Sequence, residues 1–309
     1  MHKNNILVII VAFNSMQWAD KCYNSLRAST IPCDIITIDN GSSDGTPDYI
    51  RKKFPEVELI ETGENIGFGK ANNIGLQKVL DEEYEYAYLL NQDAWIEQNT
   101  FEELIKASKL NPQYGILSPM QMQADMQHFD YGFIYFATKE PQRNKPILAE
   151  DWYFNRSAGI YEVSFVMAAH WLLTRKCIKT VGGFSPAFPH YGEDCNYIDR
   201  TLYNNLKVGI VPKALAVHDR SDKKWSKEKN EYILHYSCKL QELSNPFHRP
   251  RVINVVVKLI NLAIKEHNKN IYHYAIRILK ERKIINSCYG KSFARCAFLK
   301  ENRNVCNSI

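Results

Sequence analysis

The sequence predicts an α/β fold in which a mostly parallel central sheet is flanked by helices. Short apolar runs bounded by turn residues, such as Ile6–Ala12, predict strands that are buried on both faces. Between these runs lie segments whose apolar residues recur at helical spacing, such as Gly67–Asp81. Strands that alternate with helices over short links indicate parallel pairing, with helices covering both faces of the sheet.

In the first part of the chain the predicted strands and helices alternate regularly. The second strand ends at the turn-forming cluster Asn40–Gly45. Asn99, followed three residues later by Glu102, fits a capping box and predicts a helix that ends near Leu110. The predicted strands are Ile6–Ala12, Asp34–Asp39, Val57–Glu61, Tyr86–Leu90 and Gly115–Ser118, and the earlier helices are Ala19–Ala28, Pro47–Phe54 and Gly67–Asp81.

Regular patterning is lost between Met120 and Ile160, a segment rich in Gln, Asp and aromatic residues. Because it has no clear period, it is either a long irregular excursion or a small antiparallel insertion. Beyond it, the pattern predicts regular structure at Val163–Leu173, a helix that begins near Glu193, short strands at Val208–Val211 and Leu215–Val217, and helices from Trp225 onward.

Composition excludes several classes of protein. The chain has 309 residues, 45% hydrophobic and 24% charged, which is typical of a globular protein rather than a disordered or fibrous one. No stretch approaches the ~20 apolar residues of a spanning helix, and Ile6–Phe13 lacks the cleavage site of a signal peptide. A cytoplasmic location is therefore expected. The eight cysteines show no metal-site spacing, which predicts free, mostly buried thiols in a reducing compartment.

Positive charge is concentrated at the C-terminal end. Residues 245–309 contain 13 Lys and Arg against 3 Asp and Glu, whereas residues 1–244 contain 26 against 31. Within Arg251–Lys265, a helical apolar stripe lies opposite Asn and Lys. This helix either packs on the rest of the chain with a solvated basic face or lies on an anionic membrane. The stripe consists of Ile253, Val256, Val257, Ile260, Ala263 and Ile264.

Polar residues cluster where predicted strands end. Asp39 closes the second strand, Asp93 follows the fourth, and Asn14 follows the first. Ligands bind beyond the carboxyl ends of strands in open α/β sheets. A carboxylate there can hydrogen-bond a base or ribose, and a second can hold Mg²⁺ or Mn²⁺ against a diphosphate. Each aspartate could equally cap a turn or a helix.

Motifs of other α/β enzymes are missing from the sequence. No Gly-x-Gly-x-x-Gly follows the first strand and no Gly-x-x-x-x-Gly-Lys-Ser/Thr occurs, which argues against dinucleotide-dependent oxidoreductases and P-loop enzymes. The nucleophile elbow Gly-x-Ser-x-Gly does not occur either.

Six segments occur in order over about residues 5–220: Val11–Asn14, Ile38–Thr46, Asn65–Gly75, Leu90–Asp93, Val181–Phe184 with Tyr191–Asp194 and Arg200, and Ala216–His218. Together they resemble the motifs of glycosyltransferase family 2, which has the GT-A fold, and most closely its bacterial rhamnosyltransferase-like branch. Asn91 stands where the family's DXD motif begins with an aspartate, so Asp93 is the charged residue of the motif here.

This resemblance implies a fold and a reaction. Residues 1–244 would form a GT-A catalytic domain, the Rossmann-like fold of nucleotide-diphospho-sugar transferases. Residues 245–309 lie outside the resemblance, and their charge and apolar spacing predict a basic helical extension. The enzyme would be an inverting, metal-dependent hexosyl- or deoxyhexosyltransferase of surface polysaccharide synthesis. Its donor would be a UDP- or dTDP-linked sugar, rhamnose among them, and its acceptor a hydroxyl of a saccharide or lipid-linked saccharide.

Position by position, the resemblance also implies roles for individual residues. Asp194 would be the general base, with Glu193 beside it aiding acceptor binding, although an acidic first turn also suits the helix dipole without catalysis. Asp93 would coordinate Mn²⁺ or Mg²⁺, and His218 would add a ligand or else satisfy a backbone group. The implied donor-binding residues are Phe13, Asn14, Asp39, Asn65, Lys70, Asn72, Gln92 and Asp93.

Two other functions remain open. A nucleotidyltransferase that makes sugar nucleotides would need a glycine-rich phosphate loop with a basic residue, and Val11–Asp20 has none. An inactive sugar-binding protein of the same fold would be favoured by loss of Asp93 or Asp194, and both are present. The expected partners are the nucleotide sugar, the acceptor and, through residues 245–309, the anionic inner face of the cell membrane. Nucleic acid is not expected.

Overall fold

The structure is a computed structural model of the chain that describes residues 4–139, 151, 154, 159–220 and 226–287. Its strands are β1 (Ile6–Ala12), β2 (Asp34–Asp39), β3 (Glu58–Glu61), β4 (Tyr86–Asn91), β5 (Ala94–Ile96), β6 (Tyr114–Met122), β7 (Tyr161–Glu162), β8 (His170–Thr174) and β9 (Lys207–His218). Its helices are α1 (Met16–Arg27), α2 (Thr46–Lys53), α3 (Phe68–Asp81), α4 (Thr100–Leu110), α5 (Tyr131–Lys139), α6 (Arg175–Val181), α7 (Glu193–Tyr203), α8 (Lys227–Tyr232), a π-helical segment (Ile233–Ser237), α9 (Cys238–Ser244), α10 (Val252–Lys265), α11 (Lys269–Lys280) and α12 (Arg282–Ser287).

The nine strands of the described residues form one sheet in the order β3-β2-β1-β4-β8-β6-β9-β5, and β7 pairs with β9 beside this path. β1 pairs in parallel with β2 and β4, which places Ala12 opposite Asp39 and Val11 opposite Asn91. Because these three strands run in one direction and in register, their carboxyl ends lie side by side. We call this side of the sheet the carboxyl edge.

The sheet of the described residues is mostly parallel, as predicted: β1, β2, β3, β4, β6 and β9 share one direction, and β5, β7 and β8 run against them. β8 runs antiparallel to β4 and β6, and β9 is parallel to β6 but antiparallel to β5 and β7. The chain re-enters the sheet at the carboxyl edge, where the Asn91 N–H donates to the Ala169 carbonyl, so β8 has to run against β4. The α/β class with flanking helices is confirmed.

Most predicted elements are confirmed to within a few residues, and β1 and β2 have the predicted bounds. The prediction of a helix at α4 is confirmed, but the prediction that a capping box begins it is wrong. The helix begins at Thr100, but the Asn99 side chain makes no capping hydrogen bond. The start of the helix is held by the Thr100 N–H, which donates to the Glu97 carbonyl at 3.1 Å, and by the Thr100 hydroxyl, which donates to the Leu215 carbonyl at 2.5 Å.

In the part that the structure describes, the segment after Met120 is partly antiparallel, since Met122 pairs with Phe129, and partly helical. β6 continues to Met122, and the helix α5 follows at Tyr131. The Asp130 carboxylate accepts a hydrogen bond from the Phe133 N–H at 2.7 Å, which stabilises the first turn of this helix. The two short strands predicted after residue 207 are one strand, β9, whose register shifts opposite Pro119 and Met120.

Two hydrophobic clusters cover the two faces of the sheet. One lies under α3, α6 and α7 and includes Trp171, whose ring stacks on Phe184 at 6.3 Å and whose indole N–H donates to the Val166 carbonyl. The other lies under α1, α2 and α4.

A third cluster is built by the C-terminal helices. It joins Leu240 and Leu243 of α9 to Leu259 of α10 and Ile271 of α11, and it also contains Phe188 from the segment before α7. These contacts bridge the predicted boundary between residues 244 and 245, and the division into two domains stays a prediction.

Within the described residues the cysteines are free, as expected from composition, but the expectation that most of them are buried is wrong. The five cysteines found there are free thiols, of which Cys22 and Cys177 are buried. The predictions for Cys288, Cys296 and Cys306 fall outside the described residues. Every helix of the described part is too short or too polar to traverse a lipid bilayer.

Candidate active site

The loops that follow β1, β2 and β4 are tied together by side-chain amides. The Phe13 N–H donates to Gln92 Oε1 at 2.5 Å, and Gln92 Nε2 donates to the Phe13 carbonyl at 3.1 Å. Asn14 has a left-handed backbone (φ 51°), and its Oδ1 accepts from the Ser43 N–H at 2.8 Å. Three predicted donor-binding residues therefore shape one surface, from which the Phe13 ring projects, 41% exposed.

Asp39 is buried at the end of β2 and has one oxygen occupied. Its Oδ2 accepts from the Ser42 N–H at 2.9 Å, so it does cap the turn. Its Oδ1 is buried and has no hydrogen-bond partner among the described residues. A buried acceptor without a donor costs free energy, and a ligand N–H or O–H would remove that cost. Asp39 can therefore serve both the turn and a ligand.

The predicted donor residues around the start of α3 behave differently from one another. Asn65 Oδ1 accepts from Asn40 Nδ2 at 2.9 Å and from the Gly67 N–H at 3.0 Å, so this amide holds the loop before α3. Asn72 is buried and donates to the Phe68 carbonyl one turn earlier in its own helix. Lys70 has an exposed side chain. The structure thus leaves Lys70 accessible and places Asn72 inside the fold.

Asp93 and His218 form a buried pair at the start of the β5–β9 ladder. The Asp219 N–H donates to the Asp93 carbonyl, and Ala94 lies opposite His218. Asp93 Oδ1 is 3.5 Å from His218 Nε2, and both side chains are at most 2% exposed. Two ligands at right angles on one ion with bonds of ~2.1 Å lie ~3 Å apart, so this spacing fits joint coordination.

Asp93 and His218 suit Mn²⁺ or Mg²⁺ better than they suit a metal ion that is held by protein side chains alone. Among the described residues, no group of three or more His, Cys, Asp and Glu side chains could hold an ion. Mg²⁺ and Mn²⁺ are commonly held by one or two protein ligands together with substrate phosphates and waters. Asp93 and His218 fit that arrangement, in which a diphosphate completes the coordination.

Sequence reasoning missed two residues that lie against His218. Asp130 Oδ2 is 3.9 Å from His218 Nδ1, and Arg220 Nε donates to His218 Nε2 at 3.3 Å. Asp130 is 1% exposed and also lies 3.7 Å from Arg220 Nε. Asp130 belongs to the segment without periodicity, so its pattern gave no signal. Arg220 could have been noticed as a basic residue two positions beyond a strand-end histidine.

The acidic pair Glu193 and Asp194 opens α7 after an unusual turn. Tyr191 and Gly192 both have left-handed backbones, at φ 63° and φ 89°. A Cβ on Gly192 would lie 2.8 Å from Ser237 Oγ, so glycine is required by conformation and by space. Ser237 Oγ donates to the Tyr191 carbonyl at 2.6 Å. The π-helical segment therefore holds the turn that aims the acidic pair.

Burial sets the protonation of this pair. It raises the pKa of Glu193 to about 8, the negative charge of Asp194 acting in the same direction, and Glu193 Oε2 has no partner among the described residues. Burial also raises the pKa of Asp194, but the Cys195 N–H and the charge of Arg220 oppose this. Both carboxyl groups therefore hold a proton more tightly than they would in water, and Glu193, with a pKa of about 8, is protonated at neutral pH.

Glycines of the Asn65–Gly75 segment allow α3 to approach the acidic pair. A Cβ on Gly67 would lie 2.7 Å from the Pro189 carbonyl oxygen, and one on Gly69 would lie 2.9 Å from Phe184 Cβ. Arg200 is buried in α7 and donates to the carbonyls of Val181 and Gly183. These contacts bring the donor-side loop, the Gly182–Phe184 turn and α7 together.

His170 supports the strand end that carries His218. Its Nε2–H donates to the Val217 carbonyl at 2.9 Å, and its Nδ1 accepts from the Tyr88 hydroxyl at 2.9 Å. Burial lowers the pKa of His170 to about 3, so it stays neutral. A neutral ring with both nitrogens engaged fixes β9 at this point.

Comparison with known families agrees with this geometry. The model of the family described as glycosyl transferase family 2 matches residues 7–165. The chain belongs to glycosyltransferase family 2. The matched part includes β1, β2, β4 and the loops that hold Asp39 and Asp93.

Curated relatives extend the similarity beyond the matched part. The N-acetylglucosaminyl-diphospho-decaprenol L-rhamnosyltransferase of Mycobacterium tuberculosis is 24% identical over 69% of this chain and 76% of its own length. The dTDP-rhamnosyl transferase RfbF of Shigella flexneri is 22% identical over 80% of this chain and 75% of its own length. The chain is thus a rhamnosyltransferase-like member of its family.

Solved structures show the same fold. S. aureus TarS has a TM-score of 0.55 at 14% identity, and the similarity covers 98% of this chain but only 53% of TarS. The mannosyltransferase PcManGT from Pyrobaculum calidifontis, in complex with GDP-Man and Mn²⁺, has a TM-score of 0.53 at 14% identity over 93% of this chain and 88% of its own. The fold of this glycosyltransferase is therefore GT-A.

Proposed function

We propose that this protein transfers a sugar from a nucleoside-diphosphate sugar to a hydroxyl group of a saccharide or lipid-linked saccharide, with inversion at the anomeric carbon. One observation carries the proposal. Asp93 Oδ1 lies 3.5 Å from His218 Nε2 at the carboxyl edge, and a separate pair of carboxyl groups, Glu193 and Asp194, lies in the first turn of α7. A direct displacement by a hydroxyl needs both a cation at the diphosphate and a separate base.

A thermal-shift panel tests the proposal. UDP, dTDP, GDP and their sugars are added to the full-length protein with and without Mn²⁺, since a ligand that binds only the native state raises the unfolding midpoint. We expect UDP or dTDP to raise the midpoint, and Mn²⁺ to increase that rise. If no nucleotide raises it at millimolar concentration, the proposal is wrong.

The base in this proposal is Asp194. Burial raises the pKa of Asp194, and two groups act against that rise: the Cys195 N–H, which donates to Asp194 Oδ1 at 2.8 Å, and the charge of Arg220. Asp194 would take the proton of the acceptor hydroxyl as the oxygen attacks the anomeric carbon from the face opposite the diphosphate. Glu193 would remain protonated and offer its buried oxygen atoms to the acceptor.

Asp93 and His218 would hold the divalent cation. When bound, Mn²⁺ or Mg²⁺ supplies positive charge that stabilises the leaving diphosphate. The neighbouring GT-A structure of PcManGT contains Mn²⁺, which supports this assignment. Asn91 Nδ2 lies 3.5 Å from His218 Nε2 and orients the imidazole rather than adding a charged ligand.

For the donor we propose a UDP- or dTDP-linked 6-deoxyhexose such as rhamnose, used in surface polysaccharide synthesis. Two relatives are named as rhamnosyl transferases, one of them for a lipid-diphosphate-linked acceptor. Asp39 Oδ1 is an unpaired acceptor for the imide N–H of uracil or thymine, and the exposed ring of Phe13 offers a stacking face. Asn14, Asn65 and Gln92 would shape this pocket, with Lys70 at its entrance.

We also propose that the C-terminal helices contact an anionic membrane. Val255, Val256, Leu259 and Ala263 of α10 are buried in the third cluster, so the helix does pack on the rest of the chain. A second row of α10 stays outward: Ile253, Val257 and Ile264 are 54%, 47% and 66% exposed, beside the exposed side chains of Lys258 and Lys265. Such a row combines apolar burial with attraction to anionic lipid.

Residues 245–309 would then be an extension docked on the catalytic domain, residues 1–244, through the third cluster. Docking at the inner face of the cell membrane would place the site beside a lipid-linked acceptor. In this proposal the protein is cytoplasmic, as expected from the sequence, and attaches to the membrane through the outward row of α10.

A further inference from the structure

The guanidinium of Arg220 lies between the two halves of the candidate site. Its Nε donates to His218 Nε2 at 3.3 Å and is 3.7 Å from Asp130 Oδ2, while Nη2 donates to Met167 Sδ at 3.2 Å. Its positive charge also acts on Asp194. The side chain is 34% exposed. Arg220 therefore contacts His218, the proposed metal ligand, and remains partly accessible to solvent.

The fold leaves room for this position. A Cβ on Gly132 would lie 2.9 Å from Arg220 Nη1 and 2.8 Å from Met167 Sδ. Glycine in the first turn of α5 thus allows the guanidinium to lie beside Met167.

The hydrogen bond from Arg220 identifies which nitrogen of His218 is unprotonated. Because Nε2 accepts from a guanidinium, which has no acceptor atoms, the ring proton is on Nδ1. Nδ1 faces Asp130 Oδ2 at 3.9 Å. A metal ion coordinated by His218 beside Asp93 would need the same Nε2 lone pair that Arg220 occupies.

We propose that Arg220 competes with the divalent cation for His218 Nε2 and, once displaced, binds the diphosphate of the donor. This inference rests on the proposed function. Arginine cannot lose its charge in a protein, so two cations at one nitrogen exclude each other. A bound diphosphate would remove this competition, because its oxygens can coordinate a divalent cation and also accept paired hydrogen bonds from a guanidinium. Metal and nucleotide therefore bind cooperatively, and the coupling acts equally in both directions.

Calorimetry on the full-length protein tests this directly. Mn²⁺ is titrated into wild type and Arg220→Gln without nucleotide, and again with UDP or dTDP at saturation. Without nucleotide, we expect Arg220→Gln to bind Mn²⁺ at least about tenfold more tightly, since a hydrogen bond to a charged group is removed as a competitor. With nucleotide, the gain in Mn²⁺ affinity should be smaller in the variant than in wild type. Equal or weaker Mn²⁺ binding by Arg220→Gln overturns the proposal.

Matched variants distinguish competition for the Nε2 lone pair of His218 from a general effect of removing a positive charge. Lys176→Gln removes one exposed positive charge at the opposite edge of the sheet and should leave Mn²⁺ affinity unchanged. In a His218→Gln background, Arg220→Gln should give no gain, and a gain there would refute competition at Nε2. Arg220→Lys keeps the charge but lacks the Nε donor, so it should tighten Mn²⁺ binding by a smaller factor, and it replaces Arg220→Gln if that variant fails to fold.

The result also distinguishes this inference from the proposed function. If wild type binds neither UDP nor dTDP, the proposed function fails. If wild type binds nucleotide with Mn²⁺ and Arg220→Gln shows no change in Mn²⁺ affinity, only the role of Arg220 fails.

Discussion

Asn73 holds the backbone of Phe184 by two hydrogen bonds. Its Oδ1 accepts from the Phe184 N–H at 2.6 Å, and its Nδ2 donates to the Phe184 carbonyl at 2.9 Å. α3 is thereby fastened to the segment that leads into the acidic pair of α7. The Asn73 side-chain amide therefore connects the helix that follows the predicted donor-binding loop to the segment before Glu193 and Asp194.

Asn73→Ala should therefore lower both stability and turnover. Both backbone groups of Phe184 lose their partner, at a cost of about 1–3 kcal/mol for each group left buried and unpaired. Urea unfolding measures the loss. Gln77→Ala is the control: it removes a half-buried amide of the same helix whose hydrogen bond to Asp81 is solvent-exposed, and it should change the free energy of unfolding by less than about 0.5 kcal/mol. Equal effects of the two variants would show that the clamp does not contribute.

Asp93→Ala should abolish sugar transfer and remove the Mn²⁺-dependent part of nucleotide binding, because it deletes the carboxylate ligand beside His218. Asp93→Asn keeps the shape and should have nearly the same effect if charge is what matters. Transfer is measured by release of nucleoside diphosphate. Full activity of either variant, or undiminished activity of wild type in excess EDTA, would contradict the metal assignment.

Asp194→Asn should leave nucleotide affinity unchanged while turnover falls by ~10²-fold or more, since the proton acceptor is gone. Glu193→Gln should be milder, because Glu193 is already protonated at neutral pH. Steady-state kinetics with saturating donor compare the two. If Glu193→Gln eliminates turnover and Asp194→Asn does not, Glu193 is the base.

Glu193 should make the protein less stable as pH rises. Its pKa is raised from an ordinary value of 4.5 to about 8 by burial, so the folded state binds this proton more tightly than the unfolded chain. The stabilising contribution is complete below pH 4.5 and is lost as pH rises through about 8. Glu193→Gln cannot ionise, so its melting temperature relative to wild type should increase between pH 6 and 9. A constant difference over that range would contradict the raised pKa.

Substitution of the outward row of α10 should weaken membrane binding. Ile253→Ser, Val257→Ser and Ile264→Ser combined should reduce co-sedimentation with anionic vesicles and leave nucleotide affinity unchanged. Wild type should bind less at high salt, because each basic side chain near the surface contributes ~1 kcal/mol that salt screens. Leu110→Ser removes a comparably exposed apolar side chain from α4 and should have no effect. Equal binding of the triple variant and wild type would show that the row is not an anchor.

The sequence predicts the elements of this fold better than their directions. β1 and β2 were predicted to the residue because a buried parallel strand is a continuous apolar run between turn residues. A run such as β8 shows that a strand exists but carries no sign of its direction, which depends on the edge where the chain re-enters the sheet. The antiparallel pairing of β8 with β4 was missed for this reason.

Residues of the candidate site also differ in whether the sequence predicts them. Asp39, Asp93 and Asp194 could be found from the sequence because they lie in ordered motifs at strand and helix ends. Asp130 could not, since its distance from His218 depends on how α5 packs over the sheet, and the only sequence signal for Arg220 was its place two residues beyond a strand-end histidine. The sequence also could not predict the raised pKa of Glu193, because it is caused by burial in the folded protein.

The hydrogen bond from Ser237 to the Tyr191 carbonyl has a practical consequence for engineering this enzyme. Ser237 belongs to the π-helical segment, and Tyr236 of that segment packs with Val256 and Leu259 of α10 in the third cluster. A shortened protein made for crystallisation by deleting α10 would therefore lose packing against the segment that holds the turn before the proposed base, together with the proposed membrane-binding row. Point substitutions on the surface of α10, rather than deletions, are therefore the way to separate attachment from turnover.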